Sequence, residues 1–136
     1  MDKERILSKI DDIDGYLNEL EGIIPKNFEE YKRSIRDKRA CERLLQISIE
    51  DVIDICNLVL SGLKLGLPSD EDDIFKKLES KKIISNKMAE TLKEMKGFRN
   101  ILVHKYGTLK DELVFEMLSE RLEDLEKFKK EILKNL

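Results

Sequence analysis

Two residues in one short stretch, an arginine and a histidine, have side chains that could act together on a phosphodiester. The segment RNILVHKY spans residues 99–106 and carries Arg99, Asn100, His104 and Tyr106; His104 is the only histidine of the chain. An imidazole titrates near neutrality and can take the proton from a ribose 2′-hydroxyl. A guanidinium can grip the scissile phosphate and stabilise charge as it builds on the oxygens. The 2′-oxygen would then attack phosphorus, leaving a cyclic phosphate and a free 5′-hydroxyl. Such a reaction needs no metal, the sequence offers no obvious metal cluster, and no cofactor is implied. A lone histidine near a helix end is also commonly a surface or capping group, and an arginine five residues earlier commonly a salt-bridge donor. Spacing by itself leaves both readings open.

The helix that carries these residues breaks its own pattern. Met88, Leu92, Met95, Leu102 and Tyr106 fall on one side of a helical wheel, and Arg99 falls inside the same apolar arc. An arginine there must snorkel, pair or face a cleft, because an unpaired buried guanidinium is too costly. Gly97, Asn100 and His104 form a second strip. A mid-helix glycine costs about 1 kcal/mol against alanine and is more easily tolerated where another backbone or a ligand comes close. Ideal geometry sets Arg99 and His104 about 140° apart round the axis. A site shared across a two-fold axis would remove that difficulty, each chain supplying complementary parts. Tyr106, on the apolar arc, can be core; its hydroxyl near a helix end can also be exposed while its ring packs. Asp54, an acid within the apolar segment VIDICN, could orient His104 or pair with Arg99; it could equally lie on a narrow polar strip.

The elements that position these groups read as all-α. The chain has 136 residues, 40% apolar and 40% charged, with 6 Gly, 2 Pro and no Trp, which suits one helical domain with an aliphatic core. Periodicity gives five helices: about residues 2–22, ending before Pro25; a long one from about Phe28 to Ser61; a short one over about 70–80, with Ser69 and Asp72 as a capping box; one over about 86–105, capped by Ser85 and stopped at Gly107; and one from about Asp111 to Leu133. From Leu44 onward the long helix is apolar on most sides, so it is central or faces both its own bundle and a second subunit. Short connections predict an up-and-down bundle.

Net charge is −3, which argues against a general nucleic-acid coat. Yet Lys96–Lys110 contains four Lys/Arg and no acid, and Lys32–Arg43 contains six Lys/Arg against two acids. A locally positive site on an acidic body suits a selective RNA binder, although such stretches are also ordinary solvated faces. Cys41 and Cys56 read as reduced core residues, which together with the charged N-terminus and the lack of any spanning apolar run gives an expectation of a cytoplasmic protein without membrane contact.

Arg, four residues, His, any residue, Tyr is the pattern of the HEPN superfamily, and a polar residue follows the Arg here as it does there. The segment 96–132 resembles the C-terminal half of HepT-like proteins, and 39–70 resembles their central helix and following loop, so the resemblance covers roughly residues 1–133. It implies a HEPN-type bundle forming a homodimer, with the two motif copies lining an interface cleft. It implies RNA cleavage with Arg99 and His104 as the catalytic pair and Asn100 in support. It further implies a toxin partnered by a nucleotidyltransferase antitoxin that transfers AMP to Tyr106. Bulk and negative charge on that tyrosine would repel and occlude RNA. The alternative is a non-catalytic helical partner of a nucleotidyltransferase, binding nucleotide or nucleic acid without cutting; a purely structural helical dimer is a third reading.

Overall fold

A computed structural model describes residues 1–104 and 111–136; the expected stop at Gly107 and the Tyr106 candidate lie outside them. All the regular elements described are helices: α1 (Lys3–Ile23), α2 (Phe28–Arg33), α3 (Ile35–Gly62), α4 (Glu71–Ser80), α5 (Asn86–His104), α6 (Asp111–Glu120) and α7 (Glu123–Leu133). The expected all-α bundle is correct, but two of the five expected helices are each split in two.

The first split is at Ser34. Its backbone is extended, and its hydroxyl accepts from the Asp37 N–H at 3.2 Å, so one residue ends α2 and caps α3. Serine offers the backbone this alternative to continuing a helix. The bend turns Phe28 and Tyr31 toward Phe115 of α6, with ring centroids 5.9 and 5.4 Å apart. The second split is at Arg121–Leu122, where tight turns run from Asp124 N–H to Arg121 C=O and from Leu125 N–H to Leu122 C=O. The reason lies in the packing. Val114, Met117 and Leu118 of α6 bury into one apolar cluster, with Leu20, Tyr31, Cys41, Leu45 and Leu102. Leu125, Phe128 and Ile132 of α7 bury into another, the larger one. A straight helix would carry one stripe past both.

Expected caps hold with one shift. Ser85 caps α5, its hydroxyl accepting from Met88 N–H at 3.0 Å. The α4 cap is Asp70 rather than Ser69: Asp70 Oδ1 accepts from Asp73 N–H at 2.8 Å, and Asp73 Oδ2 accepts from Ser69 N–H at 2.9 Å. Aspartate outcompetes serine here because a charged acceptor at a helix N-terminus also meets the dipole favourably.

The breadth of the apolar surface of α3 is explained within one chain, since α1, α2, α4 and α5 all pack on it. Ile49, Val52, Ile53, Ile55, Cys56, Val59 and Leu60 enter the larger cluster together with Ile6, Ile10 and Ile13 of α1. Burying each such side chain contributes about 1.5–3 kcal/mol. At the far end of α3, Gly62 lets the N-terminus close over the helix: a Cβ there would stand 2.8 Å from Met1 Cβ. No described helix is long and apolar enough to cross a membrane.

Candidate active site on α5 and its family

The helices α4 and α5 form an antiparallel hairpin. Near its turn, Asn86 Nδ2 donates to Glu79 Oε2 at 2.9 Å; at its open end, Glu71 and Asp72 lie beside Arg99 and Lys96. Met88, Leu92 and Met95 bury one stripe of α5 in the larger cluster, and Leu102 buries in the smaller one. Arg99 is carried on that stripe and keeps only 14% of its side chain exposed. Its guanidinium is paired on two edges. Nε donates to Asn100 Oδ1 at 2.9 Å, and Nη2 donates to Glu71 Oε1. One turn earlier, Lys96 Nζ meets Asp72 Oδ1 at 2.7 Å, as an ion pair rather than an aligned hydrogen bond.

The structure therefore brings Arg99 and Asn100 together and adds Glu71, which sequence reasoning missed. It also shows that the two described cations of the Lys96–Lys110 stretch are met by acids from the first turn of α4. The same applies to parts of the other basic stretch, where Lys38 meets Asp111 at 3.3 Å and Arg39 meets Glu42 at 3.0 Å.

His104 is exposed at the last turn of α5. The helix continues through it, so Arg99 and His104 keep the ideal separation of about 140° round the axis and about 7.5 Å along it. Their backbone positions therefore lie on different sides of the helix. The His104 side is the strip through Gly97 and Ile101, which with Phe98, Leu113, Met117, Arg121 and the acids Glu94 and Glu116 lines a groove of about 360 Å³ between α5 and α6. Ile101 and Leu113 are 40% and 49% exposed there, too much for core residues. No close approach is made at Gly97 among the described residues, for a Cβ there would meet none of them within 4 Å.

Asp54 is not brought to Arg99 in the single chain. It stands 53% exposed beside α1, where Lys9 Nζ reaches its Oδ2 at 3.3 Å and Asp51 at 3.6 Å. Both cysteines are buried, as expected. Burial pushes the Cys41 thiol up to about 11, with Asp37 and Glu42 adding to the shift, and raises the fully enclosed Cys56 still further.

Comparison with known proteins decides the family, for the Ribonuclease HepT-like family matches residues 13–132. The chain belongs to this family. The resemblance seen in RNILVHKY and its flanking segments therefore names it correctly. Among HepT relatives, an mRNA nuclease HepT from Shewanella oneidensis is 37% identical over 84 residues, covering 62% of this chain and 63% of that protein, just under two thirds of its length. A tRNA nuclease HepT from Aphanizomenon flos-aquae is 30% identical over 114 residues, covering 84% of this chain and 78% of that protein. In structure, the HepT-like chain superposes with a TM-score of 0.90 and 28% identity on a tri-AMPylated Shewanella oneidensis HEPN toxin in complex with MNT antitoxin, over 98% of this chain and 99% of that one.

Proposed function

We propose that this HepT-like chain is a toxin endoribonuclease that cleaves RNA without a metal ion. The carrying observation is Arg99: a guanidinium on an apolar stripe, held by Asn100 and Glu71 yet not sealed from solvent. Relatives named as mRNA and tRNA nucleases support RNA as the substrate class. Arg99 binds the scissile phosphate and stabilises its developing charge. His104 takes the 2′-hydroxyl proton as the 2′-oxygen bonds to phosphorus. The P–O5′ bond breaks, the phosphorus is left as a 2′,3′-cyclic phosphate, and the 5′-oxygen leaves as a hydroxyl by taking a proton from solvent water.

Because Arg99 and His104 diverge on one α5, the working enzyme is a homodimer. The face through Gly97, Ile101 and His104 is the best candidate for the contact: its exposed apolar residues Ile101 and Leu113 are flanked by Glu94 and Glu116, and among the described residues it is open above the glycine. Two copies meeting there would bring each His104 toward the other chain.

The partner is a nucleotidyltransferase antitoxin that transfers AMP to Tyr106, a reading supported by the AMPylated toxin in the structural relative. Asn100 supports Arg99 directly. Asp54, which faces Lys9, would reach this chemistry only through a second copy.

The test is cleavage of RNA by unmodified protein in EDTA. Arg99→Ala and His104→Ala should each lose about 100-fold or more in rate while remaining folded. Undiminished cleavage by both folded variants would remove the assignment. Intact mass after co-expression with the antitoxin should show added AMP, absent from Tyr106→Phe.

A further inference from the structure

Glu71 is the residue of the Arg99 environment to which no role has been given. It sits in the first turn of α4, 28 positions from Arg99 in the chain, and its side chain is 36% exposed against 14% for Arg99. A guanidinium has five N–H donors. Among the described residues, Asn100 and Glu71 take one each, on the Nε and Nη2 sides. Glu71 binds through a single oxygen rather than as a two-oxygen fork, so it fixes the plane of the guanidinium without covering it. Its own position is secured in turn. Asp70, Ser69 and Asp73 cap the helix that carries it, and the Lys96–Asp72 pair holds that helix in register on α5 one turn away.

We propose that Glu71 is the positioning residue of Arg99. It orients the guanidinium so that the Nη1 edge faces a phosphodiester, and its negative charge lowers the affinity of Arg99 for that phosphate. A carboxylate within hydrogen-bond reach of an arginine competes electrostatically with any second anion placed on the same group. The chain thus trades ground-state phosphate binding for orientation, which favours turnover over tight product retention. This inference rests on the ribonuclease reading.

The experiment has two arms, both on unmodified full-length protein. The first measures binding of a 2′-deoxy oligonucleotide, which cannot be cleaved by 2′-oxygen attack, by fluorescence anisotropy. Glu71→Gln keeps the oxygen acceptor and removes the charge, so it should bind about 3- to 10-fold tighter. The second arm measures cleavage. Glu71→Ala should lower kcat by about tenfold or more with little change in KM, and Glu71→Gln should restore kcat to within about threefold of the parent. Glu79→Ala, which loosens the same hairpin near its turn, away from Arg99 and Glu71, is the control and should leave kcat unchanged.

Glu71→Gln binding no tighter than the parent overturns the proposal. So does an unchanged kcat in Glu71→Ala, or an equal loss in Glu79→Ala, which would make the Arg99–Glu71 pair merely a clamp between helices. If the parent protein cuts no RNA, the ribonuclease reading fails by itself, and the binding arm alone decides whether Glu71 tempers phosphate affinity at Arg99.

Discussion

The regularity of α5 through His104 makes a quantitative demand on the proposed dimer. Five residues of α-helix place Arg99 and His104 about 140° apart and about 7.5 Å apart along the axis, so the two side chains leave the helix on different sides. If two chains meet on the Gly97–Ile101 face, each site takes its arginine from one copy and its histidine from the other. Arg99→Ala and His104→Ala proteins would each be inactive alone. Mixed and allowed to exchange subunits, half of the dimers would be heterodimers. Each of these would hold one intact site of two, because the His104→Ala chain still supplies Arg99 and the Arg99→Ala chain still supplies His104. Recovered activity should therefore be about a quarter of the parent per chain. The assay is RNA cleavage on the equilibrated mixture, with native mass spectrometry of differently tagged variants to count heterodimers. Heterodimers forming at the statistical fraction while the mixture stays as inactive as its components would refute the shared-site argument.

Three further outcomes follow from the same geometry. Ile101→Glu should place a charge on the exposed apolar strip, shift the protein to monomer by light scattering and abolish cleavage without loss of helicity. Neither cysteine should react with iodoacetamide in the native protein at pH 8; with Cys41 near 11, about one thiol in a thousand is ionised, so full labelling should appear only with denaturant. Asp51, whose carboxyl is held above its ordinary 3.8 by burial despite the opposing charge of Lys9, binds a proton more readily folded than unfolded. Its charge therefore costs stability above the folded pKa, a cost relieved as pH falls through that value. Asp51→Asn should raise Tm at pH 7, and the gain should vanish toward about pH 4.

The legible parts of this fold are those fixed by local period. Ile6, Ile10, Ile13 and Leu20 announce α1, and the buried run of α3 announces its central place. Ser85 caps α5 as its position suggests. Both helix splits were hidden because they answer to tertiary packing. Ser34 is an ordinary helix-surface residue until the Phe28–Tyr31–Phe115 contact requires a bend, and Arg121–Leu122 interrupts nothing until two separate clusters must be filled.

The candidate site divides in the same way. Arg99 was conspicuous as a charge on an apolar arc, and the need for a partner followed from electrostatics alone. Which partner did not follow, since Asp54 was as eligible by composition as Glu71. One signal could have chosen between them. An antiparallel hairpin pairs residues by reflection through its turn. Reflecting the acidic run 70–73 through the midpoint of the connection between Ser80 and Asn86, at residue 83, lands it on residues 93–96, within one turn of Arg99, and the structure shows ion pairs from this run to Lys96 and Arg99. Asp54, on a different helix with Lys9 opposite, has no such relation to Arg99. A lone arginine on a core stripe is thus best partnered by asking which acids the shortest helix–helix connection folds onto it, before any acid is chosen for being buried. The same reasoning separates the two cations of α5 by role. Lys96 and Asp72 form a pair between helices that needs nothing further. Arg99, with its planar fork of five donors, is held through only two of them by Glu71 and Asn100 among the described residues, and that is the geometric difference between a strut and the phosphate-binding role proposed for Arg99.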